Sequence, residues 1–499
     1  MSLLGIDIGT TGCKAAVFTA EGQCLATAYR EYATLHPRPE WAELDSRAVF
    51  ALVKEAIAEV ATHTARDPIT ALCVSSMGEA MTPVSADREI LGNSILHVDL
   101  RGAEYVERLK QEMGQQAFYS VNPNILGPNY SLPKLMWLRE NEPALFTGAW
   151  KFLLWGDLVA FMLGGEPITS YSLANRTLLF DIHTQTWSEQ LLAWSGIGAD
   201  LLPRPAASGT LAGVVSAAAA RELGLPKGVQ IVVGGHDQCC NSLGAGIHGA
   251  GKACCGIGTV ECIAPVYDRI PAASEMLPCG LNVEHHVLEG HYISFIYNQS
   301  GVLVRWFRDT FAQADKQLLD GNEDLYEILS REMPVQPTRL MVLPHFEITG
   351  TPNFISDSAG VIAGLRTTTT RGEILKAILE GSAFYFLESL HALQVLGIDT
   401  SEFIATGGGA KSAAWLQVKA DIFGVPFVRP RITECGILGA AILAGLATGV
   451  FKSPAEGVKH FVHRERVFEP DPKRHAIYRG TYEKYKRLFP SMKSLLADL

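Results

Sequence analysis

Apolar positions along this chain fall into two periods. Near the start, "LLGIDIG" is an unbroken apolar run that ends in glycine and predicts a buried strand. "CKAAVFTAEGQCLATAYREY" predicts two strands that meet at Glu21-Gly22. Helical spacing follows in "AVFALVKEAIAEVA", with Ser46 as the predicted N-cap, and "ITALCVSS" returns to a strand. The second half restarts the alternation. "GVQIVVGGHD" reads as a strand ending in Gly-Gly, and "KACCGIGTVECIAPVYD" as extended chain with a tight turn near Gly258. Strand "RLMVLPHF", the long helix "GEILKAILEGSAFYFLESLHALQVL", strand "EFIATGGG" and helices "KSAAWLQVKADIFG" and "ILGAAILAGLATG" complete the pattern. The stretch from Pro265 to Gly290 has no clear period. Strands alternating with helices predict an α/β fold.

The chain has 499 residues, 47% of them hydrophobic, enough for at least two cores. The expected division is 1–246 and 247–455. A tail, 456–499, carries the amphipathic helix "HAIYRGTYEKYKRLF" and is expected to pack back on the first domain. Net charge is −10 with a pI of about 5.8, and there is no run of Lys/Arg, so nucleic acid is not an expected partner. The ten cysteines lack CxxC spacing and read as small buried hydrophobes in a reducing compartment. "MSLLGIDIG" has no basic segment and meets Asp7 too early for a signal peptide. The uncharged stretch Cys435–Phe451 is short for a membrane span and suits a buried helix. A cytoplasmic location without membrane contact is expected.

One turn occurs twice. "IGTTGCKAAVF" (8–18) and "IGTVECIAPVY" (257–267) share Ile, Gly, Thr, Cys, Ala and Val in equivalent places. Glycine lets backbone N–H groups approach an anion, and the neighbouring threonine adds a hydroxyl donor. Two such turns, one per half, each near an aspartate, suit phosphates held between similar domains, with Asp7 near a metal and Asp237 near the transferred group. A third cluster, "ATGGGAKS", fails the P-loop pattern because Ala410 precedes Lys411. "GIDIGTTG" fails the dinucleotide pattern in its glycine spacing, and a hairpin follows it. The histidines of "EHHVLEGH" lack metal-site spacing and read as a polar hairpin.

Taken together, these motifs resemble the FGGY family of carbohydrate kinases, within the actin/hexokinase-like ATPase superfamily. "GIDIGTTGCKAAVF" resembles its first phosphate motif, "VVGGHDQCCNSLGAG" its catalytic-aspartate motif, and "GIGTVECI" its second nucleotide loop. "ATGGGAKSAAWLQVKADIFGVPFVRP" resembles its adenosine motif and "TECGILGAAILAG" its C-terminal signature. The resemblance runs in order through nearly the whole chain. It implies two ribonuclease-H-like domains facing across a cleft, ATP and Mg²⁺ as cofactors, a small sugar or polyol of xylulose type as substrate, and a homodimer.

By this resemblance Asp237 is the general base and Asp7 holds Mg²⁺ through water. Gly9, Thr10, Thr11 and Lys14 line the β/γ-phosphates, Gly258 and Thr259 hold phosphate from the other domain, and Gly408, Gly409 and Ala410 pack on the adenosine. Met77, Gly78, Glu79, Asp99 and Gln238 form the substrate site. Structural alternatives stay open: a helix cap for Asp237, a turn residue for Asp7, a solvated hairpin residue for Lys14, a solvated loop residue for Asp99 and plain core for Met77. The chain departs from the family at Gly78, where relatives place His or Glu, at His97 for Trp, at His236 for Gly, and at Thr349–Pro352. The competing class is a non-catalytic sugar- or nucleotide-binding sensor; retention of Asp7 and Asp237 argues against it.

Overall fold

The computed structural model describes residues 1–318 and 324–498. Strand β1 (Ser2–Ile8) forms a hairpin with β2 (Gly12–Thr19), and β2 pairs antiparallel with β3 (Cys24–Glu31). Helix α1 (Ser46–Ala61) crosses back, and β4 (Ile69–Ser76) lies parallel to β1. With β5 (Leu211–Val214) and β6 (Gln230–His236) they make a six-stranded sheet in the order β5-β6-β4-β1-β2-β3. β1 and β4 are buried almost end to end because helices cover both faces, so they read as continuous apolar runs rather than alternating ones.

The cap of α1 differs from expectation. Asp45, not Ser46, is the N-cap, and its carboxylate accepts from the N–H groups of Arg47 and Ala48 at 3.1 and 3.0 Å. A carboxylate placed one residue earlier reaches the open N–H groups of the first turn. Ser46 is instead buried, its hydroxyl 2.7 Å from Ser94 Oγ. Between β4 and β5 the chain builds a lobe with its own apolar core, which includes α2 (Ser131–Asn141) and continues past the short α3 (Tyr171–Asn175) to Leu202.

Helix α4 (Asp237–Gly244) leaves β6, and the chain enters a second sheet of eight strands. Its hairpin is β7 (Lys252–Ile257) and β8 (Glu261–Tyr267). The short β9 (Glu284–His285) and β10 (Tyr292–Ile293) extend it on one side, with Ile296–Asn298 also paired to β8. Helices α5 (Ser300–Phe311) and α6 (Arg371–Val395) follow. On the other side lie β11 (Glu402–Thr406), β12 (Phe427–Pro430) and β13 (Arg464–Phe468). The connecting helices are α7 (Ala413–Phe423), α8 (Cys435–Ala447) and α9 (Pro454–Phe461), and α10 (Pro472–Tyr485) follows β13.

The two sheets share one plan. Each has an antiparallel hairpin, β1–β2 or β7–β8. In each, the hairpin's first strand runs parallel to a neighbour, that neighbour parallel to the next, and the edge strand antiparallel. The repeated Gly-Thr turns are therefore equivalent corners of two equivalent sheets.

The halves meet where α8 packs on α4 and on β1 of the first sheet. A Cβ on Gly439 would stand 1.9 Å from the carbonyl oxygen of Cys240, and one on Gly244 would stand 1.8 Å from that of Cys435. These helices touch backbone to backbone, which only glycine permits. That contact explains the uncharged α8: it is enclosed by both halves. Among the described residues no helix is long and apolar enough to cross a membrane.

The tail corrects an expectation. Only α9 reaches the first sheet, through Phe461 against Phe18 with ring centroids 5.4 Å apart. β13 joins the second sheet, and α10 packs on the second half. There Arg474 meets Asp421 at 2.6 Å, Tyr478 donates to Glu380 Oε1 at 2.7 Å, and Tyr482 packs on Phe384. The exposed edge of β12 needed a strand, and pairing with β13 carries the chain away from the first domain. Most of the ten cysteines are buried and none forms a disulfide, as expected.

Candidate active site

Each sheet presents one of the two equivalent corners. At the first, Gly9 N–H donates to Gly12 O at 3.0 Å, and Tyr32 donates its hydroxyl to Gly9 O at 2.7 Å. Thr10 is half-buried and Thr11 exposed. Lys14, two residues into β2, pairs with Glu434 just before α8 at 2.7 Å, so this corner is tied to the second half. At the second corner, Gly258 N–H donates to Val260 O at 3.2 Å, and the exposed Thr259 accepts from Arg305 of α5 through Oγ1 at 2.8 Å.

Past β11 the chain makes a tight turn, Gly408–Lys411, before Ser412 caps α7. A cavity of 640 Å³ lies between this turn and the second corner, lined by Gly258, Thr259, Arg305, Gly408, Gly409 and Lys411 among others. Ala410 departs from expectation. It is fully buried in the core of the second half, because the tight turn directs its methyl inward, and Lys411 and Ser412 line the cavity instead.

Asp237 opens α4 where β6 ends, with His236 as the N-cap residue. About a third of its side chain is accessible (30%). Its pKa is pushed up to about 7, first by burial and then by the negative charges of Asp7 and Glu79. Asp7 on β1 accepts from Ser75 at 2.6 Å. Burial raises its carboxyl above the usual range, against the pull of that bond and of Lys14. Gln238 stands half-buried on the first turn of α4.

Around Asp237 lies a polar cluster that centres on Arg176, just after α3. The guanidinium pairs with Glu79 through Nη2 and with Glu284 of β9 through Nη1 at 2.6 Å. It thereby joins the loop after β4 to the second sheet. The Tyr130 ring lies under it at 4.7 Å. Although burial opposes ionisation, the Arg176 guanidinium holds Glu79 down at about 2. His236 stays neutral, lowered to about 3 by burial and by Arg176. Gly78 makes room for this arrangement, since a Cβ there would sit 2.8 Å from Arg176 Cγ.

Two expected substrate residues lie elsewhere. Met77 is buried in the core of the first half, because its backbone continues the β4 edge and turns the side chain inward. Asp99 is wholly buried, and its carboxylate is consumed by Ala42 N–H at 2.7 Å, Arg101 N–H at 2.8 Å and Arg101 Nη2 at 2.7 Å. It braces the loop on which His97 stands rather than facing the cleft.

Arg176, Glu284 and Arg305 escaped the sequence reading. Glu284 belongs to "EHHVLEGH", which does form a hairpin, but a buried one: Glu284, His285 and His286 are all nearly inaccessible. A charged residue inside an irregular stretch gave no local sign of this burial.

A doubled sheet plan, with one glycine corner from each half beside a carboxylate at a helix N-terminus, defines the actin-like ATPase class. Comparison with known proteins narrows it. The family model for the N-terminal domain of the FGGY family of carbohydrate kinases matches residues 2–244, and that for the C-terminal domain matches residues 283–448. The xylulose kinase of Bacillus subtilis (strain 168) is 28% identical over 99% of this chain and 97% of its own. The autoinducer-2 kinase of Escherichia coli (strain K12) is 29% identical over 99% of this chain and 95% of its own. The crystal structure of xylulose kinase from Rhodospirillum rubrum superposes with a TM-score of 0.89 at 24% identity, covering 99% of this chain and 100% of that one. The chain belongs to the FGGY family of carbohydrate kinases, phosphotransferases with an alcohol group as acceptor.

Proposed function

We propose that this chain transfers the terminal phosphoryl group of ATP to the terminal hydroxyl of a small neutral sugar or polyol of pentulose size, with Asp237 as general base. The observation that carries the reading is Asp237 itself. It is a carboxylate at the cleft whose pKa is pushed up to about 7, which suits a group that takes a hydroxyl proton near neutral pH.

The residues present fit Mg-ATP. The 640 Å³ cavity has the size of a small-molecule site, and Gly258, Thr259, Gly408 and Gly409 line it. Asp7 would hold Mg²⁺, an ion that binds through one or two carboxylates together with waters and phosphate oxygens. When bound, Mg-ATP supplies the phosphoryl group and neutralises the charge that develops on it. Lys14 and Thr259 then stand beside the phosphates, Gly408 and Gly409 beside the adenosine, and Asp237 takes the proton of the attacking hydroxyl onto its carboxylate.

The neutral charge of the acceptor follows from how Arg176, the cation beside Asp237 and Glu79, is used. Both Nη groups of Arg176 are occupied by Glu79 and Glu284. A sugar acid needs a free guanidinium or ammonium to grip its carboxylate. Arg176 is already committed, and Glu79 beside it is ionised. The xylulose kinase relatives support a small sugar acceptor.

The test is coupled ADP release with Mg²⁺ across ketoses, polyols and the matching sugar acids, with Asp237→Asn run in parallel. The reading holds if a neutral acceptor stimulates turnover, its acid does not, and the variant loses that turnover by about 10²–10⁴-fold. Turnover that survives in the variant removes Asp237 as base. Binding without any turnover favours the sensor.

A further inference from the structure

Beneath the nucleotide cavity lies an ion pair that none of this chemistry uses. Glu261 opens β8 directly after the second glycine corner, its backbone paired with Ile257 across the hairpin. Lys419 is on α7, the helix that continues from the turn Gly408–Lys411 through its cap Ser412. The Lys419 ammonium meets Glu261 Oε1, and both side chains are 0% exposed. Three rings surround the ammonium: Phe386, Trp415 and Phe423, with centroids at 5.4, 5.9 and 5.6 Å. Cys255 donates its thiol to Glu261 Oε1 at 3.4 Å, and Glu261 Oε2 has no hydrogen-bond partner.

A pair like this is a poor source of stability. Stripping two charges of water costs about as much as their attraction returns, and apolar replacements of similar volume are often neutral or stabilising. What it provides is direction, because each charge tolerates one partner at one place. The two ends of the pair are well placed to use that. Glu261 follows the first of the two nucleotide turns, and Lys419 sits two helical turns past the second. The turns themselves meet at Ile257, which packs against Gly409.

We propose that Glu261 and Lys419 are positioning residues that hold the Gly258–Thr259 turn in register with the Gly408–Lys411 turn, so that both grip one nucleotide. The inference rests on nucleotide being held in that cavity.

The test uses the full chain, with ADP as the probe. The double variant Glu261→Gln/Lys419→Met removes both charges at nearly constant volume, which avoids a lone buried charge. Its melting temperature is expected at or above that of the wild type, while its dissociation constant for ADP, by calorimetry, rises about tenfold. A variant that melts lower but binds ADP as the wild type does would show a purely structural pair and overturn the inference. So would one that matches the wild type in both. A wild-type chain that does not bind ADP at all would remove the nucleotide reading and the inference together.

Discussion

His236 Nε2 lies 3.2 Å from Asp237 Oδ1, and the imidazole is uncharged. A cationic ring at that distance would hold the carboxylate ionised at low pH. The neutral one leaves Asp237 to burial and to the charges of Asp7 and Glu79, which push it up to about 7. Turnover is therefore expected to climb as pH rises through about 7 and to fall away on the acid side. A pH profile of kcat/KM checks this; a flat profile between pH 5 and 8 would rule Asp237 out as the titrating base.

The same shift has a cost in stability. A carboxylate that is harder to ionise folded than unfolded favours the native state while protonated. That contribution is complete below the ordinary value of 3.8 and is lost as pH rises to about 7. Melting temperature should decline over this window, and Asp237→Asn should flatten the decline and melt higher than the wild type at pH 8. Calorimetric scans of both chains at several pH values give the answer.

Arg176→Met should be far more damaging than its partly accessible position implies. It leaves Glu284, which is 0% exposed, without its cation, and Glu79 likewise. Removing one partner of a buried pair costs about 3–5 kcal/mol. Arg176→Met/Glu284→Gln should recover much of that stability while acceptor binding stays weak, because Glu79 is still unanchored. Chemical denaturation and acceptor KM, measured on both variants, separate the two effects.

Asp99→Ala is expected to act on stability and to leave acceptor KM close to wild type. Its carboxylate carries Arg101, whose guanidinium is stacked 3.8 Å from the Trp41 ring, and it lies far inside the loop. The loss should again be about 3–5 kcal/mol. A large rise in KM with unchanged melting would instead return Asp99 to the substrate site.

Gly439→Ala places a methyl 1.9 Å from the Cys240 carbonyl at the seam between α4 and α8. Neither backbone can retreat without opening the contact between the halves. We expect a loss of about 1–3 kcal/mol, the range for overpacking a filled core, and impaired turnover because Asp237 opens α4. Gly449→Ala, whose Cβ position is open but whose φ is 72°, is the control for backbone strain without a clash.

The sequence by itself determined the elements and the family. β1, β4 and β6 are covered on both faces, so their apolar runs are unbroken and legible. The two Gly-Thr corners, Asp7 and Asp237 were legible too, because glycine at a strand end marks a backbone constraint that is local. Tertiary structure alone decided what those residues meet. Asp99 and Ala410 were expected at ligands and lie in the interior; the tail was expected on the first domain, yet only α9 packs there and the rest runs along the second; Arg176 and Glu284, 108 positions apart, came together near Asp237. Burial, charge pairing and pKa depend on neighbours brought in from distant parts of the chain. No local pattern records them, and here they set the burial and charge around Asp237.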